Sequence, residues 1–288
     1  MRARLERLYR AFDHTESAND PVHIVRRYTA PDDREVVGFC AAGLAFGRVA
    51  SVLNSIESLL AVMGPSPAAF VRRFDPVQDS RQLMPLVHRW IRGKDLAALL
   101  LILQRMLRDA GSVERFFLAG DDPAAPDVAP ALESFSTRAL DTDLRPIYGR
   151  RMPKRAGVCY FFPRPSSGSA CKRLNLFLRW MVRQDAIDLG VWSRCSPSRL
   201  VIPLDTHVIR VGQCLGLTRY RSPGWKMASE ITASLREMNP EDPVRYDFSL
   251  CHVGMMSACR FGRSTVNMQC PLRGLCHPKV DRRSGPET

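Results

Sequence analysis

The stretch "PLDTHVIRVGQCLGL", residues 203–217, reads as the start, body and end of one helix. Asp205 stands at its head, after the apolar run Leu200, Val201, Ile202 and Leu204. Aspartate is a preferred helix N-cap because its carboxylate accepts the unpaired backbone N–H groups of the first turn. Val208, Val211 and Leu215 recur on one face, and Gly216 suits the C-terminal end. A helix over about 206–215 is therefore predicted. Capping alone accounts for Asp205; a rigid carboxylate at that place is equally suited to chemistry.

A second helix with a polar start lies upstream, in "GSACKRLNLFLRWMVR" (168–183). Leu174, Phe177, Leu178 and Met181 form an apolar stripe, while Lys172, Asn175, Arg179 and Arg183 fall on another face. Ser169 is expected to cap the helix from Ala170, making Lys172 its third residue. Gly168 before a helix start points backbone N–H groups outward, an arrangement suited to phosphate. A lysine in a first helical turn feels the positive end of the helix dipole, which favours the neutral, nucleophilic amine. The other reading is a solvated lysine on a cationic face.

The rest of the chain reads as helical. Residues 35–64 suggest one or two buried helices broken by Gly38, Gly43 and Gly47. Residues 94–111 give the clearest amphipathic pattern, with Leu96, Leu99, Leu100, Leu103, Met106 and Leu107 at helical spacing. Further helices are predicted at 67–74, at 112–120, a short one with Ser112 as its candidate cap, at 131–144, and at about 225–238 and 243–257. Residues 120–130 and 146–168 are rich in proline and read as loops. Strand signals are few. The expected organisation is an N-terminal extension (1–34), a helical domain (35–250) and a cysteine-containing loop and tail (251–288).

Charge narrows the partner. The 288 residues carry 42 Lys and Arg against 29 Asp and Glu, a net of +13. Residues 145–183 hold ten basic residues and no acidic one. Such a stretch suits a polyanion, nucleic acid being the commonest; a solvated basic face is the alternative. No stretch approaches the roughly 20 apolar residues that span a bilayer, and the charged N-terminus lacks a signal-peptide apolar core. A cytoplasmic, nucleoid-associated protein is expected. In that compartment the nine cysteines argue against a disulfide framework. Phe161, Phe162, Trp180 and Trp192 are available either for base stacking or for the core.

The Asp-Thr-His of residues 205–207 resembles the segment of endonuclease III and adenine glycosylases that carries the catalytic aspartate. With the proline-flanked hairpin and the lysine-bearing helix before it, the chain resembles the helix-hairpin-helix DNA glycosylase superfamily over roughly 20–276. "GSACKRLNLFLRWMVR", "PLDTHV" and "DPVRYDFSLCHVG" are similar to a bacterial family of uncharacterised proteins within it. The resemblance implies an all-α fold of two lobes with a cleft between them. It implies a DNA glycosylase, with lyase activity if Lys172 is the nucleophile, acting on double-stranded DNA in base excision repair; action as a monomer is the default expectation. Lys172 and Asp205 would be the catalytic pair; Gly168, Ser169, Arg173, Arg179, Arg183 and His207 would contact DNA. In endonuclease III the hairpin reads Gly-x-Gly-x-Lys; here Ala170 occupies that lysine's place and Lys172 lies two residues later. That shift resembles the archaeal 8-oxoguanine glycosylase branch and makes 8-oxoguanine the first substrate to test. A rival is a nucleic-acid-binding protein that keeps the fold and lacks the chemistry. A further rival is a protein-binding or metal-sensing module.

Four cysteines cluster near the C-terminus: Cys251, Cys259, Cys270 and Cys276. The segment 259–276 resembles the iron–sulfur loop of adenine glycosylases, with Asn267 where the second ligand would stand. The resemblance implies a [4Fe–4S] cluster on Cys259, Cys270, Cys276 and Cys251. A zinc site completed by His252 and His277, or a loop that binds no metal, are the alternatives.

Overall fold

The computed structural model describes residues 1–11, 20–255 and 270–276. Within them the chain is all-α, with a single two-stranded hairpin. The N-terminal helices α1 (Arg2–Ala11) and α2 (Val22–Arg26) bury Leu5, Val22, Ile24 and Val25 completely or nearly so. Residues 35–64 fold as two helices, α3 (Pro31–Leu44) and α4 (Val49–Met63). The chain turns between them through Gly47, whose φ of 109° favours glycine.

Short helices α5 (Pro67–Arg73) and α6 (Ser80–Leu83) lead into a hairpin of β1 (Val87–His88) and β2 (Ile91–Arg92). The long helix α7 (Gly93–Ala110) follows, with every leucine of the 94–111 pattern buried. It ends at Gly111, left-handed at φ 84°. In α8 (Val113–Leu118) the Ser112 hydroxyl accepts the Arg115 N–H at 3.1 Å, as the sequence predicts. Glu35 of α3 completes that helix start. It is buried, and its carboxylate accepts the N–H groups of Val113 (2.9 Å), Glu114 (2.8 Å) and the Trp192 indole (2.7 Å).

Helices α9 (Ala129–Leu140) and α10 (Arg145–Tyr148) precede the proline-rich segment. That segment is held by 3-10 turns at Gly157–Phe161 and Pro165–Ser167. Then come α11 (Lys172–Val182), α12 (Thr206–Cys214), α13 (Trp225–Arg236) and α14 (Asp247–Met255). Two packing pairs position the candidate residues: α11 lies along α3, and α12 along α14. Gly38 of α3 explains the first approach, since a Cβ there would stand 2.9 Å from Met181 of α11; Gly43 makes room for another neighbour, a Cβ there standing 2.6 Å from the Phe161 ring. Among the described residues no single helix is long and apolar enough to cross a membrane.

Candidate functional site

Lys172 is the first residue of its helix, not the third. Cys171 takes the N-cap place in the left-handed region (φ 49°, ψ 32°), which delays the helix. Ser169 therefore does not cap it; the hydroxyl accepts the Cys171 N–H at 3.2 Å instead. Gly168 is also left-handed (φ 79°), and its carbonyl accepts the Trp225 N–H at 3.2 Å. Glu133 accepts the N–H and hydroxyl of Ser166, at 3.0 and 2.7 Å, and so holds the turn ahead of Gly168. Lys172 is half-buried, and among the described residues no carboxylate pairs with it.

Asp205 caps α12 as its sequence predicts. One carboxylate oxygen accepts the Val208 N–H at 2.7 Å, and the other faces the Cys251 thiol of α14 at 3.2 Å. Burial, with Asp205 beside it, pushes the Cys251 thiol well up, so the sulfur keeps its proton and donates. A thiol is a weak donor. The carboxylate is thus fixed in direction by a backbone amide, while its second oxygen is only lightly engaged. His207, two residues on, packs its Cβ against Gly254, where a methyl group would come within 2.6 Å. Its Nδ1 is buried without a hydrogen-bond partner.

The expected DNA-facing arginines of α11 divide. Arg179 and Arg183 are each 3% exposed and belong to the interior. Arg179 pairs with Asp188 at 3.1 Å and with Asp247. Arg183 pairs with Asp185 and Asp242, both at 2.8 Å, and with Asp188. These two are therefore removed from the candidate DNA surface. Helical spacing put them on a polar face, but acidic residues from 185–188, 242 and 247 close over that face. Four carboxylates meet two guanidiniums there. Burial first, and the neighbouring Asp205 in part, outweigh Arg179 and push Asp247 up to about 7.

Arg173 remains half-buried, its guanidinium donating to the Gly43 carbonyl at 3.2 Å and lying 5.2 Å from the Phe46 ring. Burial lowers its pKa to about 10. The four aromatics open to stacking are all core: Phe161, Phe162, Trp180 and Trp192 are 0–3% exposed. Among the described residues the exposed large aromatics are Trp90, at the hairpin tip, and Tyr160. Sequence reasoning passed over both. The available signal was a tryptophan between Arg89 and Arg92 in a run, 80–94, without an acidic residue.

Of the C-terminal cysteines, Cys259 lies outside the described residues, as do Asn267 and His277. Cys251 is engaged with Asp205. Cys270 and Cys276 line a small cavity together with Cys214 of α12. Among the described residues no three groups of ligand type are arranged to hold a metal ion. The described thiols therefore do not by themselves assemble the four-ligand set a cluster needs.

No curated protein and no solved structure matches the chain. A family model does: residues 20–256 match the one described as a protein of unknown function, DUF2400. That match spans most of the 288 residues, and the chain belongs to this family of proteins of unknown function.

Proposed function

We propose that the chain is a DNA glycosylase of the helix-hairpin-helix kind, with two lobes and a cleft. It would act as a monomer on a damaged or mispaired base, 8-oxoguanine first, in double-stranded DNA. The observation that carries this reading is Asp205, a carboxylate aimed by its helix cap and opposed only by a thiol donor. Cleavage of an N-glycosidic bond builds positive charge on the sugar, which a fixed carboxylate stabilises. Lys172, at the start of α11 and unpaired with any carboxylate among the described residues, supplies the amine. Its attack on C1′ displaces the base, which takes one proton of the amine; the C1′–O4′ bond then breaks, the ring oxygen taking the second proton, to leave a Schiff base that permits strand cleavage by elimination. The target nucleotide must first leave the duplex, and an acid-free basic segment suits the phosphates on either side.

The test is borohydride trapping of the full chain on oligonucleotides carrying different lesions. A covalent adduct on one lesion, lost in Lys172→Gln, supports the amine chemistry. Base release without trapping would leave a glycosylase that uses water. A second reading is favoured by the completeness of the Asp205 cap: a DNA-binding protein of this fold without chemistry. DNA binding with neither base release nor nicking across the panel would establish that reading instead.

A further inference from the structure

Among the described residues only two that are not glycine have positive φ: Cys171 and Arg89. The first immediately precedes Lys172. The second immediately precedes Trp90, at the tip of the β1–β2 hairpin. The pairing of Val87 with Arg92 and His88 with Ile91 leaves Arg89 and Trp90 as a two-residue turn. Its first position, φ 54° at Arg89, is one that glycine usually fills. The strain holds an arginine and a tryptophan outward where a glycine would relax the turn.

The hairpin is anchored from below. His88 is 3% exposed; its Nε2 lies 2.9 Å from the Phe46 carbonyl and its Nδ1 2.9 Å from the Ser55 hydroxyl. Phe46 stacks on Trp90 with centroids 4.7 Å apart and 27° between planes. On this footing Trp90 and Tyr160 meet at 5.5 Å, their rings opening at 53°, and are 47% and 45% exposed. The Arg89 guanidinium lies 5.6 Å from the Trp90 ring, and Arg173, next to Lys172, lies on Phe46. Two large rings left this exposed on a rigid base invite a flat, apolar partner.

Charge states which partner. The segments that build the cluster, 36–56, 80–94 and 144–184, contain no aspartate or glutamate. Arg48, Arg89, Arg92, Lys94, Arg150 and Arg151 are all exposed in them. Aromatic faces within a cationic surface are how proteins hold unpaired nucleotides, since every base offers a π-face and every linkage a phosphate.

We propose that Trp90 and Tyr160 form a stacking platform for an unpaired DNA base, with Arg89 beside it for the adjoining phosphate. This rests on the reading that the chain acts on DNA, and it names the element that engages a nucleotide outside the duplex. The platform is not part of the Lys172–Asp205 chemistry, so the two can be tested apart.

The experiment is a fluorescence-anisotropy titration of the full chain with two labelled duplexes, one fully paired and one carrying a single-nucleotide bulge. The native chain is expected to prefer the bulged duplex. Trp90→Ala is expected to weaken binding to the bulge by about 5- to 100-fold, the worth of one aromatic–base stack. Its affinity for the paired duplex should stay within about 2-fold, since phosphate contacts are unaffected; that arm also reports that the variant is folded. Trp90→Phe should recover most of the preference, and Tyr160→Ala should lose part of it. Equal affinity of the native chain for both duplexes, or a preference that survives Trp90→Ala, overturns the platform and leaves the glycosylase reading standing. Failure of the native chain to bind either duplex overturns both.

Discussion

Asp205 caps α12, and one isosteric change separates that role from the chemistry proposed for it. Asn is about as good an N-cap as Asp, so Asp205→Asn should leave thermal unfolding nearly unchanged while abolishing base release on any substrate the native chain cleaves. Asp205→Ala should lose both, with a stability cost of about 1 kcal/mol from the cap that chemical denaturation would register. Full activity in Asp205→Asn would make the residue a cap and nothing more. Gly157 offers a purely structural counterpart. A Cβ there would stand 2.4 Å from the Asp95 carboxylate, which is buried and accepts from the Tyr148 hydroxyl at 2.7 Å. Gly157→Ala should therefore cost about 1–3 kcal/mol through overpacking and loosen the segment that carries Tyr160.

At the scale of elements, the arginine–aspartate cluster joins α11 to α14 and to the loop at 185–188. Removing one partner of a buried pair typically costs about 3–5 kcal/mol because the other charge is left without compensation. Arg179→Ala should therefore lower the unfolding midpoint sharply. The DNA affinity of the folded fraction should not change, since this guanidinium is enclosed. A change in the salt dependence of DNA binding would show that the helix face opens on DNA. The cluster also sets a pH dependence. Asp247 titrates near 3.8 when free and at about 7 in the fold. Between those values the folded chain holds a proton that the unfolded chain has lost. Stability on this account falls as pH rises from about 4 to about 7 and levels off above it. Urea unfolding across that range should show the decline, and Asp247→Asn should flatten it.

For the molecule as a whole the deciding property is where the positive charge ends up. Arg150, Arg151, Lys154 and Arg155 are exposed in the acid-free stretch, whereas Arg179 and Arg183 of the same stretch are enclosed. Each phosphate contact adds close to one unit to the slope of log affinity against log salt. Replacing these four by Ala should weaken DNA binding uniformly across sequences and flatten that slope by a unit or more in a salt titration. An unchanged slope would place the DNA elsewhere on the surface. The buried network sets four carboxylates against two guanidiniums, so enclosing it leaves the rest of the chain no less positive than the formal +13.

The sequence by itself determined most of the longer helices from α3 onward, though not α1 or α2, with the cap at Asp205 and the acid-free basic segment, because periodicity, capping chemistry and composition are local. It also carried the leucine face of α7 and the Ser112 cap without error. It did not determine the start of α11, where a left-handed Cys171 held by Ser169 moved Lys172 to the first helical position. Only the tertiary structure decided which charges face water. Arg179 and Arg183 share the helical spacing of Lys172, yet aspartates up to 68 residues away in the chain enclose them. Only the tertiary structure, likewise, sorted the aromatics. Burial depends on what packs against a ring, so the rings beside the lysine helix became core, while Trp90, on a strained two-residue turn too short to register as a strand pattern, remained in the open.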